Sequence, residues 1–211
     1  MYRRFPTAAQ ITLFWTAFRP LAALMPFLRR RILEHAISGS DPVEVDQLPG
    51  AAMLVRRSAL ERVGLFDPGY FIWWEDVDWA YRARRLGMRL FVLPNVAVRH
   101  AGGASFTPWT IEKRVFQFYR AFYRFLARHR LHSLARRVTP VIMADLTLRQ
   151  WVLRPFTGIA RAAMLRRTRD EIGAIVAGMQ RDRVPDFTSA EPGFTMRSVD
   201  APVTVDASTA T

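Results

Sequence analysis

Apolar residues recur at helical spacing in several stretches of the chain. Residues 5–37 have this spacing in two pieces, which predicts two short helices joined near residue 20. A longer helix is predicted over 110–131, where aromatic residues alternate with basic ones. Further helices are predicted at roughly 139–165 and 168–181, so helical regions flank the middle of the chain.

The middle of the chain has a different pattern, with short apolar runs between turn-forming residues. These runs predict strands at 43–45, 51–55, 90–93 and 96–98. The sequence Pro49-Gly50 separates the first two runs and is typical of a turn. Strands that alternate with helices indicate an α/β region.

Two helices are predicted among these strands. Ser58, with Glu61 three residues later, has the spacing of a capping box, and Gly64 is suited to end that helix. The second helix should run from about Trp74 to Leu86. It is acidic in its first turns and basic in its last turns, which complements the helix dipole, and Gly87 closes it.

The net charge of +13 is carried almost entirely by arginine, since Lys113 is the only lysine. Either a codon bias toward arginine explains this, or the protein attracts an anionic partner such as lipid headgroups, a nucleotide diphosphate or nucleic acid. The absence of cysteine excludes disulfides, thiolate chemistry and sulfur-based zinc sites, and it fits a reducing compartment. No stretch reaches the length needed to span a bilayer, and no targeting peptide is visible.

The sequence Trp-Trp-Glu-Asp-Val-Asp at 73–78 places three carboxylates in four positions beside two tryptophans. A carboxylate next to aromatic rings at a helix start is suited to act as a general base, and sugars stack on aromatic faces. The alternative is helix capping with an Asp78–Arg82 pair one turn apart. His100, which follows a short strand, is either structural or a metal ligand.

Residues 50–106 resemble family 2 glycosyltransferases of the GT-A type, and most closely the rhamnosyltransferase-like branch. Residues 50–57 resemble the strand that precedes the acceptor site in that family. Residues 63–82 resemble the block G-x-F-D…F…E-D-x-D…R, and residues 87–105 resemble the closing G…P…V-x-H…G-x-S. Order, spacing and residue types agree throughout.

The resemblance implies inverting transfer of a sugar from a nucleotide sugar to a lipid- or polymer-linked glycan. It implies that Asp76 is the base that takes the proton of the acceptor hydroxyl, with Glu75 as a supporting carboxylate. It also implies a divalent metal, Mg²⁺ or Mn²⁺, on the donor diphosphate, with His100 as a ligand. The substrate-binding positions carried over are Trp73, Trp74, Asp78 and Gly50.

The patterns along the chain and the resemblance together divide it into four parts. They are a helical hairpin at 1–40, an acceptor-side half at 41–109, a basic helical region at 110–184 and a disordered tail at 185–211. In the family the nucleotide-binding half comes first and ends in an Asp-x-Asp motif, and nothing before Gly50 resembles it. We therefore expect an α/β fold, a partial GT-A domain with helical flanks, that is inactive alone. A truncated reading frame, a degenerate remnant or an enzyme completed by another chain would each explain this.

The expected partners are a nucleotide-sugar donor, a glycan acceptor and an anionic membrane surface, at the cytoplasmic inner face of a membrane. The hairpin at 1–40 either packs on the domain or lies on that membrane. Nucleic acid is not expected, because the arginines are spread along the chain and no recognition motif is present. The alternative function is a membrane-surface or partner-binding helical module without catalysis.

Overall fold

The computed structural model describes residues 4–16, 37, 39–100, 107–153, 159–189, 191 and 195–200. Helices and strands alternate in the first part of these residues, and helices dominate the second. In chain order the elements are α1 (Ala8–Trp15), β1 (Val43–Val45), α2 (Arg57–Val63), α3 (Glu75–Arg85), β2 (Leu90–Val92), α4 (Ile111–Arg128), α5 (His132–Leu153), α6 (Ile159–Met179), β3 (Arg183–Asp186) and β4 (Thr195–Ser198).

Helix α1 begins with a capping box. The backbone N–H of Gln10 donates to the hydroxyl of Thr7 at 3.3 Å, and the N–H of Thr7 donates to the side-chain oxygen of Gln10 at 2.8 Å. The first predicted helix of the N-terminal hairpin is thereby observed. The second lies outside the described residues.

The α/β unit is built on a two-stranded antiparallel sheet. Val45 of β1 pairs with Leu90 of β2, and both side chains are buried against Val63 of α2 and Trp79 of α3. The strands predicted at 43–45 and near 90–93 are thus present. Together with the helical flanks, they fit the predicted α/β class.

Two segments predicted as strands do not form strands. Residues 51–55 are a turn followed by irregular chain, and Leu54 is 99% exposed. Residues 96–98 are also irregular, with Val96 and Val98 exposed. A strand needs hydrogen bonds to a neighbouring strand, and an apolar run does not supply that neighbour by itself.

Helix α2 begins earlier than predicted. Arg56 is the N-cap residue and makes no side-chain capping bond, so Ser58 lies inside the first turn and is not the cap. Gly64 ends the helix, as predicted, with a φ of 83° that glycine adopts at low cost. Helix α3 agrees with its prediction to within one residue at each end.

Helix α4 is the centre of the larger core. Phe122 is fully buried and lies in one apolar cluster with Ile142 of α5 and Ile175 of α6. Arg120 and Arg124 are also buried. Two of the basic residues that alternate with the aromatic ones on this helix therefore lie in the interior.

Helix α5 starts at His132 rather than near residue 139 and contains Pro140. The hydroxyls of Tyr123 and Thr139 are 2.8 Å apart, and Val138 is fully buried. Packing against α4 thus holds the helix through a position where proline removes a backbone donor. No helix in the described part of the chain is long and apolar enough to cross a bilayer.

The segment after α6 belongs to the core. Strand β3 pairs antiparallel with β4, and Val184 and Phe187 are buried. The N–H of Phe187 donates to the carbonyl oxygen of Gly69 at 2.8 Å. The prediction of a disordered tail is therefore wrong for 185–189 and 195–200, whereas 201–211 lie outside the described residues.

Candidate active site

Two consecutive tryptophans lead into α3 in a strained turn. Trp73 and Trp74 have φ values of 61° and 71°, a left-handed conformation that costs a non-glycine residue about 1–3 kcal/mol. The ring centre of Trp74 lies 5.0 Å from that of Phe122 and 5.3 Å from that of Trp15. Packing against α1 and α4 thus holds the turn, and such strain is typical of functional sites.

Asp76 lies in the first turn of α3, and backbone amides hold its carboxylate. The N–H of Gly50 donates to Oδ2 at 2.8 Å, and the N–H of Val77 donates to Oδ1 at 2.7 Å. Each carboxylate oxygen retains a free lone pair that can accept the proton of a hydroxyl group. Gly50 thus contacts Asp76 through its amide and is not part of the cavity wall described next, so its predicted substrate-binding role stays a prediction.

A cavity of about 350 Å³ opens beside Asp76. Its wall comes from the segment around α1, the loop before Gly50, the turn at the start of α3, and α4. Aromatic rings with a few convergent polar groups are typical of a small-molecule site. The wall includes Arg4, Gln10, Trp15, Gln47, Trp73, Trp74, Asp76 and Phe118.

Aromatic rings continue outward from the cavity. The ring centre of Trp73 lies 6.4 Å from that of Trp109, which stacks on Phe71 at 6.2 Å with the ring planes 15° apart. The ammonium group of Lys113 lies 5.0 Å from the centre of the Trp109 ring. The apolar lining therefore extends from Asp76 to the exposed Phe71.

Glu75 does not line the cavity. Its Oε2 is buried without a hydrogen-bond partner in the described part of the chain. Burial raises the pKa of Glu75, and the negative charge of the neighbouring Asp76 raises it further. A backbone hydrogen bond to Glu75 lowers the pKa and offsets part of this increase. The raised pKa means that burial disfavours the charged form of this carboxyl group relative to a solvated one.

Asp78 is fully buried and is not part of the cavity wall. It accepts hydrogen bonds from Arg82 at 2.9 Å, His129 at 2.8 Å and the Tyr70 hydroxyl at 3.2 Å. Burial by itself would raise the pKa of Asp78, but the His129 hydrogen bond and the nearby arginines outweigh it and lower that pKa. These contacts use its charge within the fold, so the structure adds no support to the predicted substrate-binding role, which stays a prediction. The Asp78–Arg82 pair is confirmed.

Asp67, in the G-x-F-D block, joins the α/β unit to α4. Arg124 Nη2 lies 2.8 Å from both of its carboxylate oxygens, and Arg128 Nη1 lies 3.1 Å from Oδ2. A Cβ atom at Gly69 would lie 1.9 Å from Arg124 Nη2, so glycine leaves room for the guanidinium group. Sequence reasoning missed this pairing. The sequence feature that indicated this pairing is the basic residue at every fourth position of a helix rich in aromatic residues.

The structure thus places the carboxylate of Asp76 at a helix start, held by a backbone amide, beside an aromatic cavity on the α/β unit. The chain belongs to the glycosyltransferase-like family 2, whose model matches residues 11–123. That range runs from α1 into α4 and includes Asp76. It confirms the predicted family and the partial α/β glycosyltransferase fold with helical regions.

Two relatives are rhamnosyltransferases by name. Rhamnosyltransferase WbbL of Escherichia coli is 37% identical over 98 residues, which cover 44% of this chain and 35% of the relative. The N-acetylglucosaminyl-diphospho-decaprenol L-rhamnosyltransferase of Mycobacterium tuberculosis is 43% identical over 56 residues, which cover 26% of this chain and 18% of the relative. The chain therefore spans about a third or less of the length of these relatives. No solved structure is significantly similar to it.

Complete enzymes of this family generally depend on a metal ion. Among the residues that the structure describes, no three His, Asp or Glu side chains come together as a metal site. His100 is exposed. The described residues thus do not fit a metal centre, no step below passes through one, and a ligand role for His100 stays a prediction.

Proposed function

We propose that this chain forms the acceptor side of an inverting glycosyltransferase, which transfers a sugar from a nucleotide sugar to a glycan. The observation that carries the proposal is Asp76, held by the Gly50 amide at the wall of a cavity that Trp73 and Trp74 also line. Family membership supports sugar transfer as the reaction.

The chemistry follows from the position of this carboxylate. An acceptor hydroxyl bound at Asp76 gives its proton to the carboxylate while its oxygen attacks the anomeric carbon of the donor. The bond between that carbon and the nucleotide diphosphate breaks, and the configuration at the carbon is inverted. The tryptophan rings hold the acceptor sugar in place, which reduces the entropic cost of the attack.

The relatives suggest the class of substrates. The name of the M. tuberculosis relative describes a lipid-linked acceptor with a diphosphate group, and both relatives are named as rhamnosyltransferases. We infer a diphosphate-linked, lipid-anchored glycan as acceptor and L-rhamnose as the transferred sugar. We also infer that the nucleotide sugar binds a separate donor-side half, and the partial coverage of both relatives supports this.

One titration tests acceptor and donor binding together. N-acetylglucosaminyl diphosphate on a short, water-soluble isoprenoid should quench tryptophan fluorescence, because Trp15, Trp73 and Trp74 surround the cavity. Nucleotide sugars with Mn²⁺ should give no micromolar binding to the chain alone. Replacement of Trp73 by Ala should abolish most of the quenching.

The matched control is Trp151→Phe, since Trp151 is 68% exposed on α5 and is not part of the cavity wall. This variant should respond as the parent does. Micromolar donor binding would place the donor site within this chain. A lack of acceptor quenching would favour the non-catalytic helical module.

We also propose a peripheral location at the cytoplasmic face of a membrane, with α5 as the contact surface. Arg136, Arg137, Leu148 and Trp151 are exposed, and their spacing places them on one face of that helix. Basic residues attract anionic headgroups, and an exposed tryptophan is suited to the membrane interface. Such attachment would bring a lipid-anchored acceptor close to the chain.

The chain should co-sediment with anionic vesicles at low salt and less at high salt. Replacing Leu148 and Trp151 by Ser should reduce binding, because both apolar side chains are exposed on α5. Leu54→Ser is the control, since Leu54 is exposed elsewhere. Equal binding to neutral and anionic vesicles would argue against headgroup attraction, and unchanged binding of the α5 variant would argue against this face.

A further inference from the structure

We propose that Arg4 binds the negative charge of the acceptor, so that the cavity selects a diphosphate-linked glycan over a neutral one. This rests on the proposed function, because the ligand is the acceptor of the same cavity. Arg4 belongs to the cavity wall, as Asp76 does. It lies outside the blocks that carry the family resemblance and outside the matched range 11–123.

Hydrogen bonds fix the backbone at Arg4 relative to the base. Its carbonyl oxygen accepts a bond from the Gln47 side-chain amide at 2.9 Å, and the N–H of Phe5 donates to Asp46 at 3.2 Å. The loop that carries Gln47 ends at Gly50, whose amide holds the catalytic carboxylate. Arg4 and the base are thus positioned by the same short loop.

The guanidinium group of Arg4 pairs with no carboxylate in the described part of the chain, unlike other arginines near the site. Arg82 lies 2.9 Å from Asp78, and Arg124 lies 2.8 Å from Asp67. Arg4 is also the one basic residue that the described chain contributes to the cavity wall. Among the described residues, the cavity wall therefore carries the cation of Arg4 together with the carboxylate of Asp76, and no ion pair joins the two.

Arg4 contributes to the cavity wall and is itself exposed. An arginine in this position, without a carboxylate partner in the described part of the chain, favours an anionic ligand. Its planar array of donors matches phosphate oxygens and makes charge-assisted hydrogen bonds. A neutral acceptor would displace water from this cation without supplying a negative charge in its place. This desolvation cost disfavours the binding of a neutral acceptor. Arg4 thus strengthens the binding of a diphosphate-linked glycan and weakens the binding of a neutral glycan.

The test uses the full chain and two acceptor analogues that differ only in charge. One is the N-acetylglucosaminyl diphosphate of a short isoprenoid, and the other is the uncharged glycoside of the same sugar and isoprenoid. Affinities come from tryptophan quenching at low salt. We expect the parent chain to prefer the charged analogue by about threefold to tenfold, the range of a single charge-assisted contact.

Replacement of Arg4 by Gln should abolish this preference, because the charged analogue loses its charge-assisted contact and the uncharged analogue no longer has to desolvate a cation. Arg4→Lys should keep part of it, because the charge remains and the planar array of donors is lost. Arg57→Gln removes one positive charge from a side chain that is 93% exposed on α2, and it should behave as the parent does.

Each outcome decides for or against the role of Arg4. Loss of the preference in Arg4→Gln but not in Arg57→Gln supports it. Equal affinities for the two analogues in the parent chain, or an unchanged preference in Arg4→Gln, overturn it while the acceptor site of the proposed function stands. Failure of both analogues to bind overturns both proposals.

Discussion

Replacing Asp76 by Asn should lower kcat by roughly 10²–10⁴-fold in a form of the enzyme that includes a donor-binding half, the usual range for loss of a general base. Asparagine keeps the size of the side chain, and its oxygen can still accept the hydrogen bond from the Gly50 amide. It cannot take up the proton of the acceptor hydroxyl. Steady-state rates at saturating substrate measure the change, and acceptor quenching should remain close to that of the parent.

The control for loss of a negative charge is Glu61→Gln, because Glu61 is exposed and pairs with Arg57 on α2. Its turnover should equal that of the parent. Near-parental turnover of Asp76→Asn would show that another group accepts the proton.

Replacing Asp67 by Asn should lower the free energy of unfolding by about 3–5 kcal/mol, the usual cost of breaking a buried ion pair. The side chain of Arg124 is only 5% exposed and would lose its carboxylate. Asparagine can still accept the hydrogen bond from the N–H of Gly69, so the loss reports on the charge. Urea denaturation followed by circular dichroism gives the change.

Asp182→Asn is the matched control, because Asp182 pairs with Arg130 at 3.5 Å where both side chains are about half exposed. It should cost less than about 1 kcal/mol. The double variant Asp67→Asn, Arg124→Met should regain part of the lost stability, since the unpaired charge is gone. A loss in Asp67→Asn as small as in Asp182→Asn would show that the buried pair contributes little.

The helix that carries Asp76 could be predicted from the sequence because its signals are local. Acidic residues in the first turn, arginines in the last and Gly87 beyond the end all act within a few residues of the helix. The rest of the cavity had no such signal. Arg4, Trp15 and Phe118 come from distant parts of the chain, and only the packing of α1 and α4 brings them to Trp73.

Helix α4 shows why a local pattern can mislead. Arg120, Arg124 and Arg128 recur at every fourth position, and this spacing fits a solvated stripe or a buried one equally well. Carboxylates far away in the sequence decide between them, since Asp67 and Glu171 pair with these arginines. The strands predicted at 51–55 and 96–98 were wrong for a related reason, because pairing depends on a partner that the run itself does not specify.

The α/β unit and the helical region should fold and unfold as one cooperative unit. In a fragment that stops before α4, Asp67 would lose Arg124, and Asp78 would lose His129 but keep Arg82. In a fragment that starts at α4, Arg124 and His129 would lose their carboxylate partners. Asp67 and Arg124 are separated by 57 positions in the sequence, and Asp78 and His129 by 51 positions. Each piece therefore supplies charged groups that neutralise buried charges of the other. Limited proteolysis near residue 109 would therefore yield two unfolded peptides rather than two domains.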